Sequence, residues 1–259
     1  MALDISWSQL ALFSLTLIIP FAINVHYQTA LAKDMAISMV RMAVQLILVG
    51  LYLELVFQTN NLLLNLLWII VMVTVGSSAI IGKAKLPMRR LFLPVLFGLV
   101  VGLAPLLYLL VVMVIQPVPL YSAQYVIPLA GMLLGNTLSS NIVALQNLYG
   151  AFEHRKSEYE ASISLGASPK YATLPFIRTA MQKAFAPILA SMTATGLVTL
   201  PGMMTGQILG GVNPMIAIKY QLIILIAIFV MMSISVTISL QMSIKKTVTP
   251  EGRVLVKFQ

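Results

Sequence analysis

The side chains that could carry chemistry in this sequence lie inside apolar segments, and most of them are amides, hydroxyls and thioethers. Asn136, Ser140 and Asn147 fall close to one stripe of the segment from about Tyr125 to Tyr149, at helical spacing. Polar groups in such a segment cost free energy unless they pair with one another or line a hydrated path. The stripe therefore has two interpretations, a set of interhelical hydrogen bonds or the lining of a polar pathway.

A second polar interruption lies in the segment from about Ala186 to Gly210. Pro201 removes a backbone donor and Gly202 relaxes a helix, so we expect the helix to break within LPGMMTG. Broken spans in transporters free backbone groups where substrate passes. Met203 and Met204 add thioethers, which suit soft metals, although Met also fills mobile helix interfaces. The stripe and the break together form the predicted substrate pathway. No residue is assigned as a metal ligand from the sequence.

Arg41 is the clearest charge inside an apolar segment, and Gln45 lies one turn later on the same helical face. Helical side chains lean toward the N-terminus of their helix. Arg41 could therefore reach the phosphates of the inner leaflet, or it could pair within the protein and take part in gating.

Motifs of enzymes are missing from the sequence. The run GSSAIIGK at residues 76–83 has the wrong spacing for a phosphate-binding loop, and no Ser or Thr follows its Lys. There is no HExxH, no GxSxG, no pair of catalytic carboxylates in a span and no Cys. We therefore predict that the chain is not an enzyme, binds no cofactor and cannot hydrolyse ATP by itself.

The composition is that of a membrane protein. Of the 259 residues, 59% are hydrophobic and 9% are charged, and the mean hydropathy is +0.97. Soluble domains carry about 25% charged residues, and about 20 apolar residues in a helix cross the hydrocarbon core of a bilayer. We predict an all-α, polytopic transmembrane helical bundle that forms a single domain over residues 1–259.

Seven apolar segments can be interpreted as spans of the bilayer. They run from about Trp7 to Val25, Met35 to Phe57, Leu62 to Ile81, Leu91 to Ile115, Tyr125 to Tyr149, Ala186 to Gly210 and Leu222 to Met242. The basic residues behind the net charge of +9 cluster in alternate links and in the C-terminal tail. This pattern predicts an outside N-terminus, a cytoplasmic C-terminus and no nucleic-acid partner.

The longest segment dense in charge, at about residues 152–185, is predicted to be cytoplasmic. Its sequence predicts a helix from Phe152 to Leu165 that ends in a left-handed cap at Gly166. A second helix is predicted to follow, with Ser168 as its N-cap and Pro169 at its first position. A helix–turn–helix of this kind can present a helix end to a soluble partner.

Glu160–Ala161 followed by Leu165–Gly166–Ala167 resembles the EAA loop of ABC import permeases, which docks in a cleft of the ATPase subunit. Nearly the whole chain is similar to a more specific group, the FetB family of ABC permeases. That family is associated with iron export in bacteria and is related to a plant aluminium-tolerance permease. The matching runs are RMAVQLILVG (41–50), IPLAGMLLGN (127–136), SLGASPKYA (164–172), GLVTLPGMMTG (196–206) and AIKYQ (217–221).

The resemblance implies a multi-pass permease subunit of the plasma membrane that works as a homodimer with a separate, soluble ABC ATPase holding the ATP. It implies metal-ion export, with iron as the substrate. The residues implied in contact with the ATPase are Glu160, Ala161, Leu165, Gly166, Ala167 and Ser168. Two alternatives stay open, an importer permease for another solute and a seven-span receptor or signalling protein.

Overall fold

The computed structural model describes residues 5–256, and these form a helical bundle. The predicted domain of residues 1–259 also includes residues 1–4 and 257–259, which lie outside the described part. The α-helices of the described part are α1 Trp7–Ser14, α2 Ile18–His26, α3 Ala32–Thr59, α4 Leu62–Ala84, α5 Met88–Leu109, α6 Ala123–His154, α7 Lys156–Ser164, α8 Pro169–Ala194, α9 Gly202–Leu209 and α10 Pro214–Thr247. A short 3₁₀ turn, Leu15–Leu17, joins α1 to α2, and a π-helical turn, Leu110–Ile115, extends α5.

Polar residues at the borders of the apolar segments set where several helices begin. The Ser6 side chain accepts from the backbone N–H of Gln9, whose side chain in turn accepts from the N–H of Ser6, a capping box for α1. Asn61 caps α4 by accepting from Leu63 N–H at 2.8 Å. Asn213 caps α10, whose first residue is a proline that suits this position. The positions at which these helices begin are therefore determined by residues next to them in the sequence.

Within residues 5–256, six helical stretches are long and apolar enough to cross a membrane: Trp7–His26, Ala32–Thr59, Leu62–Ala84, Met88–Ile115, Ala123–His154 and Pro214–Thr247. The all-helical class is confirmed, and the prediction of about seven spans is close. The difference is the segment from about Ala186 to Gly210, which is divided between the end of α8, a link that contains a turn, and α9. The orientation of the termini stays a prediction.

The border between α6 and α7 differs from the predicted one. The sequence predicts one helix from Phe152 to Leu165, but Phe152 belongs to the last turn of α6. The helical path is interrupted at Arg155, with φ −116° and ψ 33°, and α7 begins at Lys156. The prediction was wrong here because Phe152 packs into the core with α8, so tertiary contacts carry α6 further than the polar sequence suggests.

The core lies among α4, α5, α6, α8 and α10, whose facing side chains are buried together. Helices α1 to α3 are different, since almost every side chain on them is exposed. Helix α3 contacts the bundle near its C-terminal end, where Val56 is buried and the rings of Tyr52 and Trp68 stack at 4.0 Å. Most of this N-terminal part must therefore face lipid or a second protein.

Helices α5 and α10 pack so closely that two glycines of α5 approach the backbone of α10. A Cβ atom built on Gly98 would lie 2.9 Å from the carbonyl oxygen of Ser235 and would collide with the Ser239 hydroxyl. One built on Gly102 would lie 3.1 Å from the carbonyl oxygen of Met231. Small residues four apart allow this close approach, which holds helices together in a membrane where burial of apolar surface contributes little.

Replacing Gly98 with Ala should destabilise the bundle by about 1–3 kcal/mol, because the added methyl group must push α5 away from α10. Gly82→Ala is the matched control, since a Cβ atom there meets nothing within 4 Å and alanine favours a helix more than glycine. The midpoint of thermal unfolding in detergent measures the difference. Equal midpoints for the two variants would contradict the close packing of α5 on α10.

Candidate functional site

The predicted polar stripe of α6 is divided between two environments. The hydroxyl of Ser140 is buried and donates to the sulfur of Met232 in α10 at 2.8 Å. Asn136 is exposed, and its amide donates to the Met132 carbonyl of its own helix at 2.8 Å. Asn147 is partly buried and bonds the carbonyl of Val143 in the same way. The interhelical interpretation therefore fits Ser140, whereas the pathway interpretation remains open for Asn136 and Asn147.

The outward face of α6 is unusually polar for a membrane helix. Gly135, Asn136 and Ser139 are exposed there, and the bonds given for the two polar side chains run to carbonyls of α6 itself. An amide facing hydrocarbon is costly unless water or another protein satisfies its remaining groups. This face therefore favours a hydrated path or a contact with another protein over lipid.

A ladder of buried hydroxyls on α10 went unpredicted. Ser235, Ser239, Ser243 and Thr247 recur every four residues and are almost completely buried. Such a stripe marks one helical face, so the spacing itself was a signal that sequence analysis could have used. The ladder lies against α5 and α6, and two of its members, Ser235 and Thr247, hydrogen-bond to side chains of α6.

Asn141 is the polar group that joins α6 to this ladder. It is fully buried, and its amide nitrogen donates to the hydroxyl of Ser235 at 3.0 Å and to the carbonyl of Thr137 at 3.1 Å. Its amide oxygen has no partner among the described residues. Toward the predicted cytoplasmic end, the hydroxyls of Tyr149 and Thr247 lie 2.9 Å apart. These bonds fix α6 against α10.

The break in the predicted sixth span begins earlier than expected, although it includes Leu200 and Pro201 of the LPGMMTG run. Helix α8 ends at Ala194, and Gly196 takes a left-handed conformation with φ +90°. Pro201 occupies the N-cap position of α9, and Gly202 is the first residue of that helix. Met203 and Met204 are therefore helical and lie after the break. The prediction placed the break at LPGMMTG because Pro and Gly there are strong local signals, whereas the positive φ of Gly196 depends on how the chain leaves α8.

The break presents apolar side chains rather than a set of metal ligands. Leu197 and Val198 are exposed by 92% and 82%. Met203 and Met204 are partly buried on α9, which packs on α10. Within residues 5–256, no group of three or more His, Cys, Asp or Glu side chains could hold a metal ion.

Arg41 and Gln45 are both exposed on α3, away from the core. Arg41 has no ion-pair partner among the residues that the structure describes. The structure therefore gives no support to pairing of Arg41 with residues 5–256, and its exposed position suits contact with lipid phosphates.

The turn of the charged segment agrees with its prediction. Gly166 has φ +88°, and Pro169 is the first residue of α8. Ser168 occupies the extended N-cap position of that helix, although its side chain makes no capping hydrogen bond. Leu165 is 89% exposed at the corner, so its apolar side chain is left almost uncovered by the rest of the chain. We call residues 165–168 the corner.

Helix α7 leads to the corner and carries the remaining predicted contact residues. Glu160 and Ala161 are exposed on it, and Glu160 pairs weakly with Lys156 at 3.5 Å, both side chains being open to solvent. Ala167 in the corner is partly buried. The six predicted contact residues therefore lie on one short helix and the turn that follows it.

Aromatic side chains hold α7 against the bundle. The rings of Phe152 and Phe176 stack at 5.1 Å, and Tyr159 meets Phe152 edge-on at 5.3 Å. The guanidinium of Arg155 lies 4.9 Å from the centre of the Phe176 ring and also bonds Glu158 at 2.8 Å. Because these contacts tie α7 to α6 and α8, a force applied at the corner would reach the membrane helices.

The fold and these features define a multi-pass helical membrane protein with a polar face in the membrane and an exposed corner outside it. Residues 7–248 match the model of the uncharacterised protein family UPF0014, and the chain belongs to this family. No solved structure gives a significant match.

Three curated relatives match most of the chain. The UPF0014 membrane protein YjkA of Bacillus subtilis is 34% identical over 218 residues, which cover 83% of this chain and 84% of that protein. Protein ALUMINUM SENSITIVE 3 of Arabidopsis thaliana is 31% identical over 76% of this chain and 70% of that protein. The probable iron export permease protein FetB of Escherichia coli is 30% identical over 85% of this chain and 84% of that protein. The resemblance drawn from the sequence is confirmed.

The different environments of Asn141 and Asn136 predict different effects on stability. Asn141→Ala removes the bond to Ser235 and should destabilise the bundle by about 0.6–2 kcal/mol, the range measured for hydrogen bonds between membrane helices. Asn136→Ala removes a bond within one exposed helix turn and should change stability by less than about 0.5 kcal/mol. Unfolding in mixed detergent measures both variants. A larger loss for Asn136→Ala would contradict the assignment of Asn141 as the interhelical bond.

Proposed function

We propose that this chain is the membrane subunit of an ABC exporter that moves metal ions out of the cytoplasm across the plasma membrane. ATP is bound and hydrolysed by a separate soluble ATPase, and two copies of the chain form the translocation unit. The observation that carries the proposal is the corner, an exposed leucine and a left-handed glycine between two helices that are anchored to the bundle.

The corner has the properties of a docking element. Leu165 offers an apolar anchor that the chain itself leaves uncovered, and buried apolar anchors dominate the energy of protein interfaces. Gly166, with its left-handed backbone conformation, turns the chain between the end of α7 and the start of α8. The aromatic contacts of α7 with α6 and α8 support the transfer of ATPase movement into the membrane part.

The outward face of α6 supports a dimer around a polar path. Gly135 lets another helix approach, while Asn136 and Ser139 supply hydrogen-bonding groups. A second copy facing this surface would satisfy those groups and enclose a hydrated route. Pro201 to Met204, near the break after α8, would lie along the later part of that route.

The identity of the substrate rests on the relatives. One of them bears the name of a probable iron export permease, and it covers most of this chain at 30% identity. Iron is therefore the first substrate to test, followed by manganese, zinc and aluminium. An importer is the second candidate, because the segment from Glu160 to Ala167 resembles the EAA loop of import permeases.

Transport in everted membrane vesicles tests the proposal. Vesicles that contain the chain and its ATPase should accumulate ferrous iron when ATP is supplied, because their cytoplasmic face points outward. ATP-driven loss of iron preloaded in the vesicles would instead indicate an importer. Iron movement or a ligand response that needs no ATPase would contradict the ABC assignment and favour a receptor or another transporter class.

Gly166→Leu should lower ATP-driven iron flux at least tenfold while membrane insertion stays normal. A side chain at φ +88° is strained whatever space surrounds it, so the corner must change shape. Gly50→Leu is the control, because Gly50 lies in regular helix and a Cβ atom there meets nothing within 4 Å. Unchanged flux in Gly166→Leu would overturn the role of the corner.

Leu165→Glu should weaken binding of the ATPase at least tenfold without unfolding the chain, because this side chain makes its contacts outside the protein. Val118→Glu provides a control at another exposed apolar side chain, in the link between α5 and α6 that is predicted to lie on the opposite side of the membrane. Binding of the purified ATPase to the detergent-solubilised chain gives the two dissociation constants. Equal constants for the two variants would rule out the leucine as an anchor.

A further inference from the structure

The described residues that follow α10 are folded. Residues 248–256 fold back as a short hairpin, which we call the C-terminal hairpin, with Val248 and Val254 paired across it. Gly252 N–H donates to the carbonyl of Thr249 at 2.9 Å, and Leu255 N–H donates to the carbonyl of Thr247 at 2.8 Å. The hairpin is therefore joined to the last turn of α10 by backbone hydrogen bonds as well as by the chain itself.

The tip of the C-terminal hairpin is seated on α7. The hydroxyl of Tyr159 donates to the carbonyl of Gly252 at 2.9 Å in a buried position. Gly252 has φ +86°, and a Cβ atom on it would lie 3.0 Å from the side chain of Ile163, one turn further along α7. Glycine is thus required here both by the backbone conformation and by the close approach to α7.

The bond between Tyr159 and Gly252 persists across the physiological pH range. Burial raises the pKa of the Tyr159 phenol above its ordinary value of 10.0, so the group stays protonated and can donate. Next to this contact lies a cavity of about 560 Å³, lined by Glu153 and Lys156 on one side and by Arg253 on the other. Contact between the hairpin and α7 is therefore concentrated near Tyr159 and Ile163.

Helix α10 extends the connection deep into the membrane part. Its last turn bonds α6 through Thr247 and Tyr149, and its middle packs against Gly98 and Gly102 of α5. Helix α5 is remote from the charged segment in sequence. A displacement of α7 that moved the C-terminal hairpin would therefore move α10, and with it α5.

We propose that the C-terminal hairpin is a transmission element, and that Tyr159 is a positioning residue through which movement of α7 reaches α10. This inference rests on the proposed function, since it assumes that an ATPase moves α7. It adds a second route beside the direct one through α6 and α8, and this route includes α5 and α10 in the transport cycle.

The test is the number of iron ions transported per ATP hydrolysed by the complete complex in proteoliposomes. Tyr159→Phe keeps the ring and its aromatic contacts but loses the bond to Gly252, so the ratio should fall at least fivefold. ATPase binding and the rate of hydrolysis should stay within twofold of wild type. Tyr171→Phe is the matched control, because Tyr171 is 73% exposed in the first turns of α8.

Gly252→Ala is the second variant and should lower the same ratio by crowding Ile163. A role of the hairpin in stability alone would reduce the amount of folded complex, and with it transport and hydrolysis in equal proportion, leaving the ratio unchanged. An unchanged ratio in Tyr159→Phe, with wild type active, overturns the transmission role and leaves the proposed function intact. A wild-type complex without ATP-driven transport overturns the proposed function itself.

Discussion

Inside a bilayer, an apolar side chain gains little by exchanging lipid for a helix interface, so this bundle depends on close approach and on hydrogen bonds. The packing of α5 on α10 meets that constraint with Gly98 and Gly102, which bring the two backbones together. Asn141 and the buried hydroxyls of α10 then add polar contacts to α6. The three helices form the closely joined core of the membrane domain, and the other helices pack around it.

The exposed side chains of the membrane helices differ from one helix to another. Helices α1 to α3 expose apolar side chains, as lipid-facing helices do, whereas α6 exposes an amide, a hydroxyl and glycine. This contrast separates a surface suited to lipid from one suited to water or protein. The corner after α7 repeats the contrast outside the membrane, since Leu165 is an exposed apolar side chain within the charge-rich segment of residues 152–185.

Features encoded by neighbouring residues could be predicted from the sequence, and features that arise from packing could not. The prediction of the turn at Gly166, Ser168 and Pro169 was correct because each of these residues favours its position at the end or start of a helix. The end of α6 was misplaced because Phe152 is held by Phe176, a residue distant in sequence. Most residues of the candidate pathway were predicted because they are polar side chains within apolar segments. Only the structure shows that Ser140 is buried whereas Asn136 is exposed.

The close pairing of α5 with α10 also has a consequence for biogenesis. Roughly a hundred residues separate the end of α5 from the start of α10. At about 5–20 residues per second, α5 would wait about 5–20 s after its own synthesis before synthesis of its main partner begins. During that interval its two glycines face lipid or the insertion machinery, so the bundle can close only after the last span has been made.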